Sequence, residues 1–214
     1  MHTRRNNNPF LYSCLTLFIL IFLSLSSSLA QAGKVREYWI AAEKTDWNYA
    51  PTGANQIDPA SDLGVWGKTL TYTKYRYIGY TDGSYSHPLP QPEWMGILGP
   101  TIRAAVGDTI KVHFLNKTDM PLSMHPHGVM YDKDNEGADG GKGGSIPPGE
   151  RYTYTWIVDQ DAGPGPGDPS SIVWLYHSHV MAEEEVNLGL IGTLIITAAD
   201  KAHSDKNPAP RDVD

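Results

Sequence analysis

Two short histidine pairs carry the chemistry most readily read from this chain. The first is His125-Pro126-His127, inside Leu122-Ser-Met-His-Pro-His-Gly-Val129. The second is His177-Ser178-His179, inside Val173-Trp-Leu-Tyr-His-Ser-His-Val180. On an extended chain, residues i and i+2 point to one side, about 6.5 Å apart. Two imidazoles so spaced do not easily converge on one ion. They can serve two neighbouring metals or grip either side of a cluster. Two such pairs on separate strands read as half of a polynuclear metal site. Met124 alternates away from His125 and is a poor ligand.

The elements that must position these pairs are strands. Lys34–Thr45 is β-rich, broken by Trp47-Asn-Tyr-Ala-Pro-Thr-Gly; Lys68–Tyr80 alternates Thr and Tyr with other residues. Thr109–Asn116 places Ile110, Val112 and Phe114 on one face, after a Gly107-Asp108 turn. Glu150–Val158 carries Tyr152, Tyr154 and Trp156 in alternation. Ile172–Tyr176 runs into the second pair, and Leu188–Thr197 is a buried closing strand. Residues 131–149 form a long, acidic, glycine-rich loop. Glu183-Glu-Glu reads as a solvated charge run. No long segment has a persuasive helical period, and short strands between Gly/Pro turns indicate an all-β sandwich or barrel. His113 points away from the apolar face of its strand and is expected to be exposed. His87 and His203 fall in loop and tail and receive no role. Asn116-Lys-Thr118 matches a glycosylation acceptor.

Composition narrows the class. Residues 1–32 read as a secretory signal, with Arg4 and Arg5, an apolar run from Phe10 to Leu25, and Ala30-Gln31-Ala32 as a cleavage site. The run is shorter than the ~20 apolar residues a spanning helix needs. Its removal leaves 15 Lys and Arg against 24 Asp and Glu, a formal charge of -9. That balance argues against nucleic acid or an anionic membrane as partner. The expected location is secreted or periplasmic, with no membrane contact after cleavage. The single cysteine, Cys14, lies inside the signal. The remaining residues therefore offer no disulfide and no thiolate for soft metals or nucleophilic catalysis.

At this point the chain resembles the N-terminal cupredoxin domain of multicopper oxidases, nearest the ceruloplasmin-like and bacterial two-domain, laccase-like members. The resemblance rests on Leu98-Gly-Pro-Thr-Ile-Arg-Ala, Gly107-Asp-Thr-Ile-Lys-Val, His125-Pro-His-Gly-Val, Pro148-Gly-Glu-Arg-Tyr-Thr-Tyr, Tyr176-His-Ser-His-Val and Gly189-Leu-Ile-Gly-Thr-Leu-Ile-Ile. It implies a cupredoxin-like Greek-key β-sandwich over residues 33–198, with 199–214 as linker or tail. It also implies a trinuclear copper cluster between two cupredoxin domains, where O2 is reduced to water. By that resemblance His125 would bind the type 2 copper. His127 and His177 would share one type 3 copper, and His179 would bind the other. Neutral imidazole suits copper.

The chain departs from the full family pattern in one region. Ser178 stands where a type 1 cysteine would stand, Glu183 where the type 1 histidine would be, and Leu190 near the axial position. A type 1 site wants a thiolate with two imidazoles, so this chain is expected to hold no blue copper. The expected partner is a second cupredoxin domain or subunit carrying His-Cys-His. Two explanations stay open: a truncated oxidase whose next domain follows Asp214, or a stand-alone domain that pairs with another chain. Trimeric two-domain oxidases make homo-oligomerisation a further expectation. The functional expectation is one half of an exported oxidase that consumes O2 and oxidises a phenol or metal ion. The alternative is a non-catalytic copper-binding or structural cupredoxin module.

Overall fold

Alternation of apolar and polar residues, broken by glycine and proline, gives two packed sheets. The computed structural model describes residues 33–64 and 70–202. The segment read as a signal, His203 and most of the expected tail lie outside the described residues. One sheet has the order β2-β1-β4-β6, from Thr71–Tyr80, Val35–Asn48, Thr109–Asn116 and Arg151–Ile157. The other has the order β3-β8-β7-β5, from Ile102–Ala105, Ile191–Thr197, Ser171–His177 and His125–Pro126. β1–β4 and β3–β8 are parallel, and the other pairings are antiparallel. The architecture is the all-β cupredoxin sandwich expected.

The core lies between the sheets. Ile40, Tyr77, Ile110, Val112, Phe114, Tyr154 and Trp156 face inward from one sheet; Ile102, Ala104, Tyr176, Leu194 and Ile196 face them from the other. The period of two explains the set, because Ile110, Val112 and Phe114 occupy alternate positions of β4. The turn before β4 is held by Asp108. Its carboxylate accepts from Arg36 Nε at 2.8 Å, from the Lys34 amide at 2.8 Å and from the Ala105 amide at 2.9 Å.

Four local readings need correction. β1 continues through Trp47 to Asn48, because β2 pairs with it as far as Asn48↔Thr71. His113 is half-buried, stacked on Trp39 and bonded to Thr153 and Glu37. Asn116 is fully buried; its amide donates to the Met120 and Ile146 carbonyls, and its oxygen accepts from Thr118. It is a structural brace, with its amide nitrogen committed, and not a surface glycosylation acceptor. Glu183–Glu185 is a solvated charge run only in part: Ala182–Leu188 forms a helix, α1, on which Glu183 and Glu184 are exposed and Glu185 is buried. Three acids in its first turn suit the positive end of the helix dipole. Gly189, at φ 112°, ends it in the left-handed conformation. Seven residues are too few for a helical period to show.

Candidate metal centre

The four paired histidines converge at one end of the β3-β8-β7-β5 sheet. β5 and β7 pair antiparallel, with His125 opposite His177. That register brings together residues about fifty positions apart in sequence. Ring centroids lie 5.1 Å apart for His125–His127, 5.5 Å for His125–His177, 5.0 Å for His125–His179 and 5.1 Å for His127–His177. Ligand nitrogens of His125, His127 and His177 all lie within 4.8 Å of one another. His179 stands outside that tight group, with its ring 5.6 Å from that of His177. The remaining described histidines, His87 and His113, take no part.

Hydrogen bonds decide which ring nitrogens face the centre. His125 Nδ1 lies 2.6 Å from the Glu136 carbonyl oxygen, and His177 Nδ1 lies 2.8 Å from that of Ser178. A carbonyl can only accept, so in each neutral ring Nδ1 carries the proton and Nε2 carries the lone pair. An outer partner of this kind fixes the tautomer and aim of a metal-binding imidazole. His127 Nε2 and His177 Nε2 are 3.0 Å apart. Two nitrogens each about 2 Å from one ion sit about that far apart, so this pair fits a shared metal.

The electrostatics favour neutral rings. Burial pushes the His125 pKa down, the Glu136 carbonyl opposes this in part, and the neighbouring histidines push it down further. Burial and the rings of His177 and His179 lower that of His127. Each shift keeps a lone pair available for metal. The donor set, imidazole nitrogen with no thiolate, fits copper and other borderline divalent ions.

The acidic, glycine-rich loop over residues 131–149 aims the first pair. Asp132 caps the short 3-10 turn Lys133–Asn135 by accepting from the Asn135 amide. The Asn135 carbonyl accepts from Trp156 Nε1, and the Asp134 carbonyl accepts from the Tyr152 hydroxyl. The chain then reaches Glu136, whose carbonyl holds His125. Gly137 follows with φ +72°, where a Cβ would lie 2.0 Å from the Met124 oxygen. Only glycine tolerates that approach. The Glu136 carboxyl is held below its ordinary pKa by Lys133. Charge content drew attention to this loop in the sequence, but its backbone carbonyl does the positioning.

The positions likened to a type 1 site, Ser178, Glu183 and Leu190, carry no thiolate and no imidazole. Ser178 and Leu190 are fully buried, as is Met124. The acid that turns inward is Glu185, two residues beyond the one singled out from sequence. It is fully buried; Oε2 accepts from the Val180 amide at 3.0 Å, and Oε1 has no partner. Glu183 remains exposed on the same helix.

Comparison with known proteins identifies the family. Residues 95–201, half of the chain, match the family described as multicopper oxidase. Hephaestin of Rattus norvegicus is 36% identical over 92% of this chain and 19% of its own length. Ferroxidase HEPHL1 of Homo sapiens is 40% identical over 84% of this chain and 17% of its own. Coagulation factor V of Homo sapiens is 36% identical over 86% of this chain and 8% of its own. The chain thus spans about a fifth or less of the length of these relatives. A multi-copper oxidase from Pseudomonas Thermotolerans superposes with a TM-score of 0.54 at 19% identity, over 80% of this chain and 31% of that one. That likeness speaks to the fold alone. The chain belongs to the multicopper oxidase family, and its described strands form one cupredoxin domain of the family's kind.

Proposed function

We propose that this chain supplies four imidazoles, His125, His127, His177 and His179, to a copper cluster completed by a second cupredoxin domain. The observation that carries the reading is the 3.0 Å approach of His127 Nε2 to His177 Nε2 across two strands, beside two further histidines. In this reading His127 and His177 share one type 3 copper, His179 serves the other, and His125 serves the type 2 copper. Copper so held would supply one-electron transfer and O2 binding. The chain's own residues present neutral nitrogens, fix their tautomers through the Glu136 and Ser178 carbonyls, and hold the pairs in register. O2 would be reduced to water at the completed cluster, and an outside reductant would be oxidised.

Two features support a partner. The chain outside residues 1–32 has no cysteine for a type 1 site. Exposed apolar side chains flank the histidines in sequence: Met130, Tyr131, Leu175 and Met181. The partner is a domain or subunit bearing His-Cys-His. One relative is a ferroxidase by name, which favours a reduced metal ion over a phenol as reductant. An exported location follows from the N-terminal reading, and no helix among the described residues is long and apolar enough to cross a membrane.

The test is Cu(II) titration of the full chain beside His125→Ala and His177→Ala. The parent chain should bind copper without an intense blue thiolate band, and each substitution should lower stoichiometry or affinity. Oxidase activity should appear only on adding a His-Cys-His partner. Unchanged copper binding in both variants would sink the ligand assignment. A second reading, a copper-binding module without catalysis, is favoured by the missing thiolate. It predicts the same binding and no activity with any such partner.

A further inference from the structure

We propose that Ser123, Ser178 and Tyr77 form a buried clasp that sets the separation of the two histidine pairs, and that Ser123 is its central positioning residue. The inference rests on the four histidines being metal ligands. None of the three makes a direct contribution to the ligand set, and sequence reading assigned Ser178 only as a missing cysteine.

The bonds cross between the pairs. The Ser123 amide donates to Ser178 Oγ at 3.0 Å. The His179 amide donates back to Ser123 Oγ at 3.0 Å. The Tyr77 hydroxyl donates to the Ser123 carbonyl at 2.6 Å. Every polar backbone and side-chain atom of Ser123 is therefore engaged, and both serines and Tyr77 are fully buried. Ser123 lies two residues before His125. Ser178 lies between His177 and His179. A bond from one serine to the other is thus a brace between the pairs.

The brace is needed because strand pairing there is short. β5 contributes only His125 and Pro126 to the ladder with β7. Beyond those two residues, the His127 amide bond to the Leu175 carbonyl at 2.9 Å is the further backbone tie from the first pair to β7. The clasp adds two crosslinks just behind the histidines. In a dry interior such a set of linked hydrogen bonds is mutually strengthening, and loss of one member leaves others unpaired. The phenol's pKa is raised far by burial, so Tyr77 remains a donor at ordinary pH. Val180, next to His179, is tied on its other side to Glu185, so the second pair is gripped from both flanks.

The test uses the full chain with Cu(II) as probe. Ser123→Ala and Ser178→Ala should each weaken Cu(II) binding by about 10-fold or more, the range seen when a ligand's orienting partner is lost. The double variant should be no more than about twofold weaker than the poorer single one, since one unit is broken once. Ser123→Thr keeps the oxygen and should recover most of the affinity. Ile196→Val, a core change on β8 with a comparable stability loss, should leave affinity within twofold. In the metal-free chain the His179 amide should be protected from hydrogen exchange and lose that protection in Ser123→Ala. Parent-like affinity in both serine variants overturns the clasp alone. A parent chain that binds no Cu(II) fails the copper reading first, and the clasp's role at a metal falls with it.

Discussion

The two histidine pairs share a spacing and rest on different supports. His177 ends a seven-residue strand paired along its whole length with β8, from Ser171↔Thr197 to His177↔Ile191. Backbone ladder bonds run up to the residue itself, and the Ser178 carbonyl holds its ring. His125 belongs to a two-residue strand, and its short ladder is supplemented from outside the sheet by the Glu136 carbonyl, the Ser123 clasp and the Met124 amide bonded to Tyr154. One pair is built by regular structure and the other by a loop. A metal centre assembled this way needs its loop as much as its strands. Damage to the loop should therefore cost the first pair more than matched damage to the strand costs the second.

The strongest break of that contrast is Gly137→Ala. A Cβ there meets backbone at 2.0 Å, on a residue with φ +72°. The left-handed conformation alone costs about 1–2 kcal/mol. The backbone clash cannot relax without moving Met124 and His125, so the total should exceed about 3 kcal/mol. Gly149 is the control: it has φ +81° and nothing within 4 Å of its Cβ position. Gly149→Ala should cost only the conformational term and leave Cu(II) affinity unchanged. Thermal unfolding and copper titration of both variants check this. Equal losses in the two would show that the loop around Gly137 yields.

A smaller effect separates stability from positioning. Tyr77→Phe and Tyr176→Phe each remove a buried hydroxyl bonded to a carbonyl, that of Ser123 in one and Pro100 in the other. Each should cost about 1–3 kcal/mol, because a buried acceptor loses its donor. Only Tyr77→Phe should also weaken Cu(II) binding, because only Tyr77 touches the clasp. A parallel fall in affinity for Tyr176→Phe would mean that general softening explains both.

Glu185 tests the second pair from its far side. Glu185→Gln keeps an oxygen for the Val180 amide and removes a buried acid with an unpartnered atom. It should be neutral or stabilising by about 1 kcal/mol. Glu185→Ala strands the Val180 amide and leaves a void, so it should cost about 2 kcal/mol or more. Denaturant unfolding distinguishes them; a Gln variant as damaged as the Ala variant would assign the carboxylate a bonded role.

The sheet and the histidines were legible in the sequence because both depend on short-range regularity. Alternation marks Ile110, Val112 and Phe114 as inward, and His-x-His marks a strand end. What was not legible depends on distant backbone. Glu136 acts through its carbonyl, which every residue possesses, so no residue type betrays it. Ser123 has a weak signal, since parity puts it on the side of His125 and His127, but its partner is 55 residues away. Asn116 shows the converse: a three-residue motif names a surface modification, yet the same side chain is the peg joining residues 116, 120 and 146. Glu185 was missed because a helix of seven residues decides which of three adjacent acids turns inward.

The smallest expected effect is on proton binding at the first pair. His125 and His127 both have pKa values lowered by burial, though the Glu136 carbonyl opposes the shift for His125 alone. An unfolded chain takes up these two protons near pH 6.5; the native metal-free chain takes them up at lower pH. Between the depressed folded values and about pH 6.5 the unfolded state binds more protons, so stability falls as pH drops through that window. Above about pH 6.5 both rings are neutral in both states and contribute no slope. Nitrogen-15 NMR of the imidazoles reads each ring directly. Both should titrate below 6.5, and in His125 the neutral form should carry its proton on Nδ1, where the Glu136 carbonyl accepts it. A neutral His125 protonated on Nε2 would remove the carbonyl's hold and, with it, the account of how the loop aims the first pair.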